Sequence, residues 1–568
     1  LRLRFASDGL PPVEEVDVSW LYLLFGLVSV ALTVNTFRPI AVGRRRRVAG
    51  FFASWLWGEL GLHAIALAIV VTWVAAILGA LDAWPGQLGL LAVIGSCVAL
   101  ARAYVRGRHA APAVERALRA ALGEDYAERV LPELGRHFES GARWRQIVKP
   151  FPIRHPEVER LRDIEFSRER GVTLRLDLYR HRSAPRNCPT LLQIHGGAWV
   201  VGDKREQALP LMHQLAARGW VCITANYRLS PHATFPDHLI DIKQAIRWIR
   251  EFGPQYGANP DFLAVTGGSA GGHLAALVGL TGNDPAYQSG FEHVDTTVRA
   301  AVPIYGIYDF TDRHGVHAGT GMADLLERSV MKGSIEEIEH LYRRASPLDL
   351  VHEAAPPFFV IHGDLDTLVP VDAARKFVSV LREHSSAPVA YAEIPGAQHA
   401  FDLFPSLRAQ IVIDAVERFL ASVYSQYTAR RGSVEEAIAA GKATSVASTV
   451  AFSPRNETQP ETEPDIEIAS GTEAGSEAEA ARETGADGSS EPSQSELAAN
   501  SPEPVTRKRK PRRKPAARRT TGPKRQPRRR AAGPSKARAK DTGKTTSTVD
   551  EPIDVPSSTN GTGDAPLR

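Results

Sequence analysis

The sequence predicts an α/β domain with a mostly parallel central sheet flanked by helices, preceded by transmembrane helices. Short apolar runs alternate with helical segments from about residue 172 to 424, the order that lays parallel strands between two layers of helix. Two of those runs end at paired glycines, Gly196-Gly197 and Gly267-Gly268. Three long uncharged stretches crowd the first hundred residues.

Composition divides the 568 residues into blocks. Residues 1–101 are mostly apolar, 102–430 have a globular mixture, and 431–568 are polar and poor in aromatics. The net charge of +4 conceals a polarity: 17 Lys or Arg and no acid between Arg507 and Lys540, after 13 acids between Ala451 and Val505. One evenly charged fold is excluded, and so is a wholly soluble chain. Three cysteines, Cys97, Cys188 and Cys222, with no CxxC, argue against a disulfide framework or a zinc site. No metal or cofactor is expected.

The apolar runs are 18–37, 60–81 and 83–101, the last interrupted early by Pro85-Gly86. About 20 apolar residues cross a bilayer, so the block reads as a three-span anchor. Arg38 and Arg44–Arg47 follow the first run, and Arg102, Arg106 and Arg108 the third. Three spans put both basic clusters on one side, which the positive-inside rule makes cytoplasmic together with the large domain. Asp8, Glu14, Glu15 and Asp17 before the first run are unlike the basic start of a cleaved signal peptide.

Residues 102–150 read as a helical linker, either a collar near the membrane or part of a cap. The main domain is assigned to 151–430. Within it Val172–Tyr179, Thr190–His195, Trp220–Asn226, Phe262–Thr266, Ala300–Tyr305, Pro357–His362 and Val389–Ile394 read as strands. Ala233–Phe252, the segment after Ser269, Val371–His384 and Leu407–Tyr424 read as helices.

Gly267-Gly268-Ser269-Ala270-Gly271 fits GxSxG between a strand and a helix, the tight turn that exposes a serine hydroxyl. Gln193-Ile194-His195-Gly196-Gly197-Ala198-Trp199 ends another strand. Its glycines can turn backbone N–H groups toward a developing oxyanion. A serine needs a base, and His399 in IPGAQHAF lies between the last strand and the closing helix. Asp364 and Asp366 follow a strand in IHGDLDTLVP; Asp366 is the expected orienting acid and Asp364 the turn support. The chain order Ser269, Asp366, His399 differs from those of chymotrypsin and subtilisin. His195 reads as a loop-shaping residue.

With these motifs, and with Asn226-Tyr227-Arg228-Leu229-Ser230-Pro231, Phe235-Pro236, Tyr305-Gly306-Ile307-Tyr308-Asp309 and His362-Gly363-Asp364-Leu365-Asp366, the chain resembles the α/β-hydrolase superfamily over roughly 150–425. It resembles the hormone-sensitive-lipase-like carboxylesterases and their arylformamidase-like relatives. The resemblance implies Ser269 as nucleophile, Asp366 as acid, His399 as base, and Gly196, Gly197 and Ala270 as the oxyanion hole. Two positions depart from the pattern: Ala198 stands where many members have a third glycine, and Gly268 where many have aspartate.

The expected activity is hydrolysis of short- to medium-chain or lipid-derived carboxylic esters. The alternatives are an arylformamidase or other amidase, and a catalytically retired membrane adaptor. Trp199, Phe235, Tyr308 and Phe401 are candidate pocket walls, and segments 110–150 and 311–345 candidate roofs. The tail is expected to be disordered, acidic over 451–505 and basic over 507–540. Its basic run suits anionic lipid first, an acidic partner second and nucleic acid last.

Overall fold

Eight strands form one sheet in the order β1-β2-β4-β3-β5-β6-β7-β8. They are β1 (Val158–Glu169), β2 (Val172–His181), β3 (Cys188–Ile194), β4 (Val221–Ala225), β5 (Ala258–Gly268), β6 (Ala300–Ile304), β7 (Phe358–Gly363) and β8 (Val389–Ile394). β2 pairs antiparallel with β1 and β4, and every other pairing is parallel. This computed structural model describes residues 17–439 except 137, 139–142 and 152, with side chains to 433. The tail, with its expected acidic and basic runs, lies outside the described residues.

Seven strands fall where apolar runs predict them. β1 was not predicted, because VERLRDIEFSRE is an edge strand that buries only Val158 and Phe166. In the interior, side chains alternate between two cores, as a period of two requires. Leu192, Ile223, Val265, Ala301 and Val360 enter one, and Leu191, Cys222, Ala264, Val302 and Phe359 the other. The parallel strands carry apolar residues on both faces because both are covered.

The N-terminal block departs from three simple spans. Helix α1 (Val18–Phe37) matches the first apolar run. The second run, 60–81, carries α3 (Gly61–Ile77), and α2 (Arg44–Glu59), which precedes the run, meets it at Leu60 with a bend of 83°. The third run lies within α4 (Trp84–Gly107), and Pro85 sits in the first turn, where a missing N–H costs nothing, rather than breaking the helix. Among the described residues two helices are long and apolar enough to cross a membrane, or three if the bent pair counts as one. α1 and α4 approach closely at glycines: a Cβ on Gly26 would stand 2.7 Å from the Gly89 carbonyl oxygen. Thr33 and Ser96 share a 2.6 Å hydrogen bond across the same pair, the small-residue and hydroxyl packing that apolar surroundings favour.

Helix α5 (Ala110–Leu122) buries Val114, Leu118 and Leu122 in the core that also holds Phe359, Ala390 and Val416. It flanks the sheet instead of roofing a site, so that part of the expected cap is corrected.

Candidate active site

Each chemical group arrives at the carboxyl end of a parallel strand. β5 ends at Gly268, and the helix Ala270–Leu280 starts one residue beyond Ser269. Ser269 adopts φ 59°, ψ −122°, a strained conformation for a non-glycine residue that costs about 1–3 kcal/mol. The turn is closed by contacts that exclude side chains. A Cβ on Gly271 would lie 2.1 Å from Ile194 O, and one on Gly267 2.4 Å from Gly271 O. The Ser269 N–H donates to Ile304 O at 3.0 Å. This is the geometry that lifts a serine side chain off the sheet.

Asp366 follows β7 and His399 follows β8. His399 Nδ1 lies 2.6 Å from Asp366 Oδ2. Asp366 Oδ1 accepts the N–H groups of Leu368 and Val369, each at 2.9 Å, and His362 Nε2 is 3.3 Å from Oδ2. Burial alone would raise the Asp366 pKa. His399 and His362 outweigh it by charge and hydrogen bonding, and the carboxyl sits well below the usual carboxylate range. Asp364 accepts the Gly396 N–H at 2.6 Å and thereby ties the two loops together.

Gln398 was not singled out in the sequence. Its Oε1 accepts the N–H of Thr367 at 2.9 Å and of His399 at 3.0 Å, one residue from the acid and on the histidine itself. Tyr305 was quoted as part of a motif without a role. Its ring lies 4.6 Å from that of His399, and its hydroxyl donates to buried Asp402. A Cβ on Gly268 would stand 2.5 Å from that hydroxyl, so the serine turn and His399 border the same tyrosine. Burial raises the Asp402 pKa.

The oxyanion expectation changes in one member. The Gly196 N–H donates to Gln207 Oε1 at 2.6 Å and is not free. No hydrogen bond engages the N–H groups of Gly197 or Ala270 among the described residues. Gly197, Ala198 and Trp199 all have positive φ, at 113°, 53° and 59°. A Cβ on Gly196 would touch the Ser269 Cβ at 3.1 Å, so this loop abuts the serine. His195 shapes the loop, as expected: its Nδ1 bonds Gly196 O at 2.8 Å and its ring stacks on Tyr227 at 4.4 Å. Burial lowers its pKa.

The four aromatic pocket candidates are buried in the core. Trp199 packs against His273 and Phe310, Phe235 against Tyr287, and Tyr308 on Phe377. Phe401 packs against Tyr305. All four are buried, and Tyr308 alone stacks face to face with its neighbour. The ring outside the main domain that meets His399 is Phe51 of α2, edge-on at 6.1 Å. Among the described residues no cluster of His, Cys, Asp and Glu could hold a metal ion.

A serine raised between strand and helix, a histidine hydrogen-bonded to a carboxylate, and N–H groups with no partner among the described residues all lie at carboxyl ends of strands in one α/β-hydrolase core. The family model described as BD-FAE matches residues 176–381. The chain is 41% identical over 423 residues to LipM of Mycobacterium tuberculosis, a probable carboxylic ester hydrolase, covering 71% of this chain and 93% of that one. It is 47% identical over 262 residues to esterase LipQ of the same organism, covering 46% of this chain and 62% of LipQ. An esterase structure from Thermogutta terrifontis is similar at 24% identity, with a TM-score of 0.36 over 43% of this chain and 83% of that one. The chain belongs to the same family as LipM and is a carboxylic ester hydrolase.

Proposed function

We propose that the chain is a membrane-anchored serine hydrolase that works through Ser269, His399 and Asp366 and an acyl-enzyme. His399 takes the Ser269 proton as the oxygen attacks the ester carbonyl, then protonates the leaving alkoxide. Water activated by the same histidine releases the acid. Asp366 holds the imidazole tautomer and stabilises its charged form. The N–H groups of Gly197 and Ala270, with that of Ala198, receive the oxyanion. The observation that carries this reading is the 2.6 Å Asp366–His399 bond, in a chain whose serine occupies a left-handed strand-to-helix turn.

The substrate class is a short- to medium-chain or lipid-derived carboxylic ester. The absence of the 268 carboxylate leaves the choice between hormone-sensitive-lipase-like and arylformamidase-like chemistry to experiment. The anchor is α1, the bent pair α2–α3, and α4, with the hydrolase on the cytoplasmic side beside the basic clusters. The decisive test is Ser269→Ala: loss of p-nitrophenyl ester hydrolysis together with loss of fluorophosphonate labelling is expected. An unchanged rate in the purified variant would sink the assignment. Turnover of N-formylkynurenine in preference to esters would favour the amidase alternative.

A further inference from the structure

Helix α2 has two faces with different destinations. Arg47, Phe51, Ser54, Trp55 and Glu59 follow helical spacing and all meet the hydrolase. Arg47 donates to Thr367 O at 2.9 Å, next to Asp366. Ser54 accepts from Gln398 Nε2 at 3.3 Å, and Trp55 donates to Ala400 O at 2.9 Å, on either side of His399. Glu59 pairs with Arg408 at 2.6 Å. The acid and the histidine are thus each flanked by a hydrogen bond from one juxtamembrane helix.

The other face carries Val48, Phe52 and Leu56, spaced four apart and 42%, 51% and 44% exposed. It begins at Arg44–Arg46, all exposed, of which Arg44 also lies 3.9 Å from Asp324. A helix with an apolar stripe and a basic end suits a membrane–water interface. The 83° bend against α3 points the same way: if α3 stands across a bilayer, α2 lies nearly in its plane.

We propose that α2 is an interfacial helix, with Val48, Phe52 and Leu56 in the acyl boundary and its arginines among anionic headgroups, and that it presents the catalytic site to esters resident in the bilayer. The occupant of the exposed face is an anionic lipid surface. The continuity of α2 with the flanking apolar helices, and Arg45 and Arg46, exposed and without an ion-pair partner among the described residues, argue for it over a second copy of the chain. The ester's apolar part stays in lipid while its carbonyl reaches the site beside Phe51. This deepens the function proposed above and rests on Ser269 as nucleophile.

The test uses the full chain in proteoliposomes, with p-nitrophenyl acetate in the water and p-nitrophenyl palmitate in the bilayer. Wild type is expected to cleave palmitate faster in phosphatidylglycerol-containing vesicles than in pure phosphatidylcholine. The double variant Val48→Asp/Leu56→Asp should lose about tenfold on palmitate, since it puts charge on the exposed face that the proposal sets in the acyl boundary, and should keep acetate hydrolysis and fluorophosphonate labelling. Arg45→Glu/Arg46→Glu should erase the preference for anionic vesicles. Equal losses on both esters, no loss on either, or a shift of oligomeric state in the Val48/Leu56 variant would overturn the proposal. Retention of both rates by Ser269→Ala would instead overturn the catalytic reading.

Discussion

Gly268 and Tyr305 illustrate how one position can be spent differently within a superfamily. Many members carry an aspartate before the nucleophile, whereas here the Tyr305 hydroxyl fills that space and reaches Asp402. Restoring the common residue with Gly268→Asp should therefore reduce kcat by at least about tenfold, a barrier change of roughly 1.4 kcal/mol. The cause is displacement of Tyr305, which also borders His399; an unchanged kcat would contradict this packing. At Asp366 the sign of the pH effect follows from a depressed folded pKa. The unfolded carboxyl binds its proton near pH 4, before the folded one does, so its contribution is complete above about pH 4 and is lost as pH falls through the lower folded value. Asp366→Asn should lower the denaturant midpoint at pH 7 and show a shallower decline between pH 5 and 3 than wild type, as read by denaturant titration in detergent.

Among the elements, α2 changed most between sequence and structure. Its tryptophans and phenylalanines follow four arginines, a mixture that no span prediction absorbs, and the bend at Leu60 falls where the apolar run 60–81 begins. Glu59 closes α2 against Arg408, both side chains buried. Removing one partner of a buried pair leaves a charge unmatched and costs roughly 3–5 kcal/mol. Glu59→Ala should lower the thermal midpoint markedly, and Glu59→Ala/Arg408→Met should recover part of the loss. Additive losses would show that the two charges do not couple. At the α1–α4 crossing, Gly89→Leu has no room, because a Cβ there already lies 3.0 Å from Leu23 Cα; separation of those helices should appear as lower detergent-extracted yield and lower Tm.

At the scale of the molecule, the N-terminal helices and the hydrolase core form one body, because α2 and α5 pack onto the hydrolase. A chain ending at residue 439 should keep the acetate-hydrolysis rate of the full protein, since every group of the site lies between Phe51 and Arg408; a large loss would give the tail a part in catalysis. The proposed triad residues were legible because each sits in its own short motif after a strand. The spacing of Gly, Ser, Asp and His relative to apolar runs is a local property. Gln398 and Tyr305 were in plain view, but nothing local distinguishes a glutamine that clamps two loops from one that faces water. The commitment of the Gly196 N–H to Gln207 depends on how an eleven-residue loop folds back. The aromatic candidates misled because large rings beside a motif serve packing as readily as binding.

Local periodicity and turn sterics therefore determined the class of this protein: the parallel α/β sheet, the serine turn, the chain order of Ser269, Asp366 and His399 and the apolar character of its first hundred residues. Those features depend on neighbours a few bonds apart, so they can be read along the chain. Only the tertiary structure decided that α2 lies against the histidine, that α5 flanks rather than roofs, and which N–H groups stay uncommitted. Phe51 and His399 are about 350 residues apart in the chain. Their contact exists because α2 packs beside the loops that follow β7 and β8, held there by Arg47, Ser54, Trp55 and Glu59.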